Sequence, residues 1–155
     1  METILDKSKI IQIGFLTRDV EKTTKMWAEF LGQEVPPIHD LLPYEQTQAE
    51  YDGNPCYGRN RQSFFEFGNV QIEIIEPVTE FPSYWKECLD KNGEGLHHLA
   101  FGVKDMSGCI QMLEDNGTGT LRQCGEFPGG RYAYVDAMEK LKLIIEFLEF
   151  DGKPL

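Results

Sequence analysis

Basic side chains are in short supply in this chain: 15 lysines and arginines face 26 aspartates and glutamates, a formal charge of −11. A nucleic-acid surface draws its affinity from clustered lysine and arginine, and the scatter of these residues excludes that class of partner. Cysteine offers no framework either. Cys56, Cys88, Cys109 and Cys124 never fall at C-x-x-C spacing, which removes a zinc knuckle or a redox pair. Long apolar runs are missing, so no segment is expected to span a bilayer. The opening "METILDKSKIIQIGF" has too short an apolar stretch between charges to serve as an export signal. Reduced thiols, a cytoplasmic location and no membrane partner follow as expectations. Histidine is scarce, at three residues, and two of them are neighbours in "GEGLHHLAF", residues 93–101.

What the chain does contain is an internal repeat. "QIGFLTRDV" (12–20) lies over "HLAFGVKDM" (98–106) without a gap, matching Phe15 with Phe101, Arg18 with Lys104 and Asp19 with Asp105. Each copy reads as an apolar strand closed by a basic residue and an aspartate, a good helix N-cap. Helical spacing follows, with Val20, Trp27 and Leu31 on one stripe and Met106, Ile110 and Leu113 on the other. Gly32 and Gly117 supply the stops. Later, "VQIEIIE" (70–76) lies over "LIIEFLE" (143–149), so Glu73 meets Glu146 and Glu76 meets Glu149. Residues 47–52, 61–67, 119–124 and 131–136 are further strand candidates between turn residues. The reading is a single α+β unit over 1–155, built from two tandem βαβββ modules at about 8–77 and 95–150, with a linker helix over 82–92.

Side chains alternate between faces along a strand. Ile11, Ile13 and Phe15 should therefore share one face of the first strand, and Gln12 and Gly14 the other. In the matching strand His97, Leu99 and Phe101 should oppose His98, Ala100 and Gly102. The bulky sets belong against helices, whereas a polar group followed by small residues resembles the wall of a cleft. Gln12 aligns with His98 and Glu73 with Glu146, so pairing the two sheets can bring all four to one point. Two carboxylates, an imidazole and an amide oxygen suit a divalent cation such as zinc, nickel, cobalt or manganese. Without a cation, two buried carboxylates repel and one is forced neutral. On this reading His97 is a structural partner of the site, and His39 is an exposed loop residue.

The motifs "IIQIGFLTRDVEKTTKMWAEFLG", "GNVQIEIIEP", "GEGLHHLAFGVKDM" and "LKLIIEFLE" together resemble the vicinal oxygen chelate superfamily. That superfamily includes glyoxalase I, methylmalonyl-CoA epimerase, extradiol dioxygenases and the fosfomycin and bleomycin resistance proteins. The resemblance runs from Lys9 to Phe150 and implies paired βαβββ modules curled around a metal, usually in a homodimer. It places the metal ligands on Gln12, Glu73, His98 and Glu146. Length and the "GEGLHHLAFGVKDM" segment are most similar to methylmalonyl-CoA epimerases, which commonly carry histidine at the position of Gln12. The Gln/Glu/His/Glu set is instead the pattern of human-type glyoxalase I. The extra acid–base carboxylate of an epimerase would fall near Glu45 or Glu50.

The chemistry implied is proton transfer next to a carbonyl through a metal-stabilised enolate, with Glu146 as the first choice of base and Glu73 as the second carboxylate. Three functions fit: an epimerase or isomerase of an acyl-CoA, a lactoylglutathione lyase, and a non-catalytic small-molecule binding or resistance protein. An extradiol dioxygenase fits less well, since its two-histidine, one-carboxylate iron site needs a histidine where Gln12 stands. Anionic substrates call for local positive charge, for which Arg122, Arg131, Lys86 and Lys91 are the candidates. Residues 36–62 and 123–131 are expected to line the cleft mouth.

Overall fold

The computed structural model describes residues 8–78 and 80–152. The first seven residues, which hold part of the opening stretch read above, and Thr79 of the linker lie outside the described residues. The first half runs β1 (Lys9–Leu16), α1 (Val20–Leu31), β2 (His39–Asp40), α2 (Tyr44–Thr47), β3 (Glu50–Tyr51), β4 (Asn54–Pro55), β5 (Arg59–Phe67) and β6 (Val70–Val78). The linker helix α3 (Tyr84–Asn92) follows. The second half runs β7 (Gly95–Val103), α4 (Met106–Asp115), β8 (Thr120–Phe127), β9 (Gly130–Asp136), α5 (Met138–Leu141) and β10 (Ile144–Phe150). All strands join one mixed sheet in the order β2-β5-β6-β1-β7-β10-β9-β8-β3-β4.

The repeat governs how each half is held. Asp19 caps α1 by accepting the Lys22 N–H at 3.0 Å, and Asp105 caps α4 by accepting the Gly108 N–H at 2.9 Å. Gly32 ends α1 in the left-handed conformation, at φ 66°. A second device is also duplicated. Glu76 accepts the first helical N–H of α1, at Val20, and Glu149 that of α4, at Met106, both at 2.7 Å. Each of these glutamates faces an arginine across its strand pair, Arg61 for Glu76 and Arg131 for Glu149. A carboxylate at the positive end of a helix is favourable on both counts, hydrogen bonding and dipole.

The convex face of the sheet carries α1 and α4. Val20, Trp27 and Leu31 pack with Ile13, Phe15, Ile72 and Ile74, while Met106, Ile110 and Leu113 pack with Phe101, Ile145 and Phe147. The concave face receives α3, whose buried Tyr84, Trp85, Cys88 and Leu89 meet Ala100, Tyr132, Tyr134 and Leu148. The helix is fixed there by Ser83 capping Lys86, by the Tyr84 N–H donating to Gln123 Oε1, and by Trp85 Nε1 donating to the Tyr134 hydroxyl at 3.1 Å. All four cysteines are free thiols. No helix among the described residues is long and apolar enough to cross a membrane.

Two sequence expectations need correction. The strand expected over 47–52 shrinks to Glu50–Tyr51, because Tyr44–Thr47 turns as a helix and Gln48 and Asp52 take positive φ. That short strand pairs with β8 of the other half, while the edge of its own half is closed by His39–Asp40 against β5. Ile11 leaves the company of Ile13 and Phe15. Pairing with β7 jumps from Ile10–Phe101 to Gln12–Ala100, and the extra residue packs against the Tyr84–Trp85 cluster.

Replacing Glu76 or Glu149 by alanine should lower the unfolding free energy by about 1–2 kcal/mol in each case, read as a shift in the urea midpoint. Equal losses at the two sites are expected from the equivalence of the halves.

Candidate metal centre

Two neighbouring rows of the sheet build the site. One runs Gln71 (β6), Gln12 (β1), Ala100 (β7), Glu146 (β10), Tyr134 (β9). The other runs Phe64 (β5), Glu73 (β6), Gly14 (β1), His98 (β7). The rows are related by the repeat: Gly14 stands beside Glu73 as Ala100 stands beside Glu146. In the antiparallel β1–β7 pair, Gln12 opposes Ala100 and Gly14 opposes His98. Each large polar residue thus sits over a small one. A Cβ on Gly14 would fall inside the His98 ring, with Nε2 only 2.6 Å away.

The four expected residues meet and are all buried. His98 Nε2 lies 3.0 Å from Glu146 Oε2 and 3.5 Å from Glu73 Oε2. Gln12 Oε1 lies 3.1 Å from His98 Nε2, 3.1 Å from Glu73 Oε2 and 2.9 Å from Glu146 Oε2. With an oxygen at this end the amide shares no hydrogen with two ionised carboxylates, a conflict that turning the amide over would also relieve. A cation among them removes the conflict. Ligands about 2.1 Å from a common centre stand about 3.0 Å apart at a right angle and about 3.4 Å apart at the tetrahedral angle, so the observed spacing fits. The donor set of one imidazole and three oxygens is likewise that of a divalent ion.

The electrostatics agree. Burial pushes the Glu73 carboxyl up, with the Glu146 charge adding to the rise and His98 opposing it. Burial works against the charged form of His98, but Glu146 and Glu73 outweigh it and raise the imidazole above its usual range. Protons therefore do in part what a cation does fully.

His97 does not take the face that alternation assigns to it. The β1–β7 register passes from Gly14–His98 to Phe15–Leu96 and leaves His97 unpaired in a bulge. Its ring accordingly packs on Tyr84 and Tyr134, on the same side as His98, and its Nδ1 lies 3.0 Å from His98 Nδ1. Burial and the neighbouring His98 hold its pKa well below normal, so it is neutral.

The site opens into a cavity of about 220 Å³ walled by Phe64, Trp85, Phe127, Tyr132, Tyr134 and Phe150, with Asn60, Gln62 and Gln71 as polar points. Leu41, Asn60 and Gln62 come from the 36–62 stretch and Phe127 from 123–131, as expected of the mouth. Glu45 and Glu50 are exposed and away from the lining. No lysine or arginine lines the cavity among the described residues. Arg122 is held by Asp52 and Glu87, Arg131 by Glu149 and Lys86 by Asp90, so these cations serve the scaffold. His39 is exposed at the rim, its ring 6.3 Å from Phe64. Sequence reasoning missed Gln71, although it precedes Glu73 by two residues and so shares its face.

Gly14→Ala should displace His98, abolish divalent-cation binding in calorimetry and cost about 1–3 kcal/mol through overpacking. In metal-free protein, the raised Glu73 and His98 favour their protonated forms when folded. Their stabilisation is full below pH 4.5 and pH 6.5 respectively and is lost as pH rises through the folded values. His97, shifted downward, opposes this only below pH 6.5. The thermal midpoint of metal-free protein should accordingly fall as pH climbs above 6.5, and saturating zinc should flatten that fall.

Comparison with known proteins now places the chain. The uncharacterized protein YqjC of Bacillus subtilis (strain 168) is 32% identical over 96 residues, a match spanning 58% of this chain and 65% of that protein. Among solved structures, a hypothetical protein of Bacillus halodurans C-125 superposes with a TM-score of 0.68 at 23% identity, covering 97% of this chain and 99% of the other. Methylmalonyl-CoA epimerase of Mycobacterium tuberculosis gives a TM-score of 0.61 at 19% identity, covering 92% and 88%. A single-residue variant of Streptomyces coelicolor methylmalonyl-CoA epimerase, in complex with 2-nitronate-propionyl-CoA, gives 0.62 at 20%, covering 94% and 98%. These structural likenesses are ones of fold, a curled mixed sheet. Residues 11–134 match the family described as the Glyoxalase/Bleomycin resistance protein/Dioxygenase superfamily, and the chain belongs to it.

Proposed function

We propose that this protein is a metal-dependent isomerase or epimerase that moves a proton on a carbon next to a carbonyl. The observation that carries the reading is the meeting of two buried carboxylates, a buried imidazole and the end of a buried amide at the inner end of an aromatic cavity. Gln12, Glu73, His98 and Glu146 would hold a divalent cation, which would supply Lewis-acid stabilisation for negative charge developing beside the carbonyl. Glu146, as a carboxylate, takes the proton from carbon and returns it to the neighbouring atom, ending the cycle ionised again, with Glu73 as the second carboxylate of the centre. The aromatic walls exclude water from the reacting carbon, while Asn60, Gln62 and Gln71 offer amide groups that orient a substrate without adding charge. The homodimer expected from the resemblance and the cytoplasmic location expected from the cysteine pattern belong to the same reading.

Two substrate classes divide it. An acyl-CoA is supported by the fold shared with methylmalonyl-CoA epimerases. A hydroxycarbonyl that is uncharged at its reacting carbons, such as the hemithioacetal of a lactoylglutathione lyase, whose carboxylates lie on the glutathione part, is supported by the charge at the site. Glu73 and Glu146 together already balance a divalent cation, and no lysine or arginine lines the cavity among the described residues to receive a substrate carboxylate. A buried, uncompensated charge is costly, so the class with an uncharged reacting end is the better electrostatic match at the centre.

With cobalt or zinc bound, deuterium should enter methylmalonyl-CoA from heavy water if the first class holds, and the methylglyoxal–glutathione adduct should be consumed if the second does. At cation concentrations that keep the centre loaded, Glu146→Gln should slow whichever reaction is found by about 100- to 10,000-fold, the usual reach of a general base. A metal-loaded protein that binds such ligands yet exchanges no proton in any of them is a binding module, and the enzymatic reading then fails.

A further inference from the structure

The Gln12 amide has two ways round, and only one of them puts an oxygen into the centre. Turned over, its Nε2 would stand 2.9–3.1 Å from Glu146, His98 and Glu73 and donate to the carboxylates, and the amide would no longer offer a ligand. Nothing in the four-residue cluster itself opposes that turn. With no cation bound, the cluster favours it.

The opposing constraint lies one and two strands away, in the same row of the sheet. Glu66 on β5 pairs with Gln71 on β6, and Gln71 pairs with Gln12 on β1. Gln71 Nε2 donates to Glu66 Oε1 at 2.7 Å, and Gln12 Nε2 donates to Gln71 Oε1 at 2.8 Å. An ionised carboxylate only accepts hydrogen bonds. Glu66 therefore fixes Gln71 with its nitrogen outward and its oxygen inward. The Gln71 oxygen in turn fixes Gln12 with its nitrogen outward and its oxygen in the centre. If Gln12 turned over, its oxygen would face the Gln71 oxygen at 2.8 Å. Relieving that contact by turning Gln71 would set oxygen against the Glu66 carboxylate.

We propose that Glu66 and Gln71 are positioning residues that impose one direction on a chain of hydrogen bonds and so hold the Gln12 oxygen ready for the cation. The inference rests on the metal-dependent reading above and adds to it how the weakest donor of the set is kept in place. Charged partners strengthen and propagate such chains, and outer partners of this kind are typically worth about 10- to 100-fold in metal affinity.

The test is Co²⁺ binding, followed by calorimetry and by the visible d–d absorbance of the bound ion, alongside the thermal midpoint of the metal-free protein. Gln71→Leu fills similar space but offers no acceptor. It should weaken Co²⁺ binding by about 10- to 100-fold and change the absorbance, with the metal-free midpoint held or raised, since the freed amide can then bond both carboxylates. The double variant E66Q/Q71E restores the direction by exchanging the end groups: the amide at 66 donates to a carboxylate at 71, which still accepts from Gln12. It should recover wild-type affinity and absorbance. Wild-type affinity in Gln71→Leu, or a double variant as weak as the single one, overturns the proposal. A loss of metal-free stability in Gln71→Leu that matches its loss of affinity also overturns it in favour of a packing role. Wild-type protein that binds no Co²⁺ overturns the metal centre itself, a separate failure.

Discussion

Two buried carboxylates lie beside one imidazole nitrogen, and their repulsion is the constraint around which this molecule is arranged. Burying one uncompensated charge costs several kcal/mol even after relaxation, and here Glu73 and Glu146 are buried together with Gln12 and His98. The sheet tolerates them because positive charge can be supplied at their meeting point, by a proton on His98 or by a divalent ion. Small residues at Gly14 and Ala100 make the meeting possible, since the side chains opposite them need the space that a larger neighbour would fill. The convex side repeats the theme in milder form. Glu76 and Glu149 are set at helix N-termini, where backbone N–H groups and an arginine apiece answer their charge.

The backbone around the centre is close to two-fold symmetric, and its side chains are not. Phe64 and Tyr134 stand at equivalent places beside the two glutamates. Gln71, two residues before Glu73, corresponds to Ile144, two residues before Glu146. Gln12 can therefore be oriented along its row by an amide, whereas the equivalent position next to His98 is apolar. His98 is oriented differently, by the ring of His97, which reaches it only because β7 bulges. A duplicated scaffold thus offers two symmetric ligand positions, and the histidine and the glutamine each have a device suited to their own geometry.

Much of this was legible in the sequence because it depends on equal offsets. Gln12 and His98 match in one repeat pair, Glu73 and Glu146 in the other, and strand alternation places each pair on the concave face. Asp19, Asp105 and the two helices are legible for the same reason, since capping and helical spacing are local. What escaped depends on irregularity or on distant partners. The bulge at His97 breaks alternation without a glycine or proline to announce it. The 47–52 segment has strand composition, but it pairs only at Glu50–Tyr51, with the other half. Arg122, Arg131 and Lys86 read as free cations because sequence does not disclose that Asp52, Glu149 and Asp90 face them.

The adjacent histidines resolve into two roles joined by one hydrogen bond. His97 is neutral, so one ring nitrogen carries hydrogen and the other a lone pair. When His98 is protonated both its nitrogens carry hydrogen, and Nδ1 must donate to the lone pair on His97 Nδ1. When His98 Nε2 instead gives its lone pair to a cation, the remaining proton again sits on Nδ1 and makes the same bond. His97 therefore keeps one tautomer in both states, with its second nitrogen buried and without a partner among the described residues. That unpaired group costs on the order of 1–3 kcal/mol, which the fold accepts beside the centre. In return the imidazole of His98 holds its direction whether a proton or a metal ion occupies the far side, and exchange of one for the other needs no rearrangement of the ring.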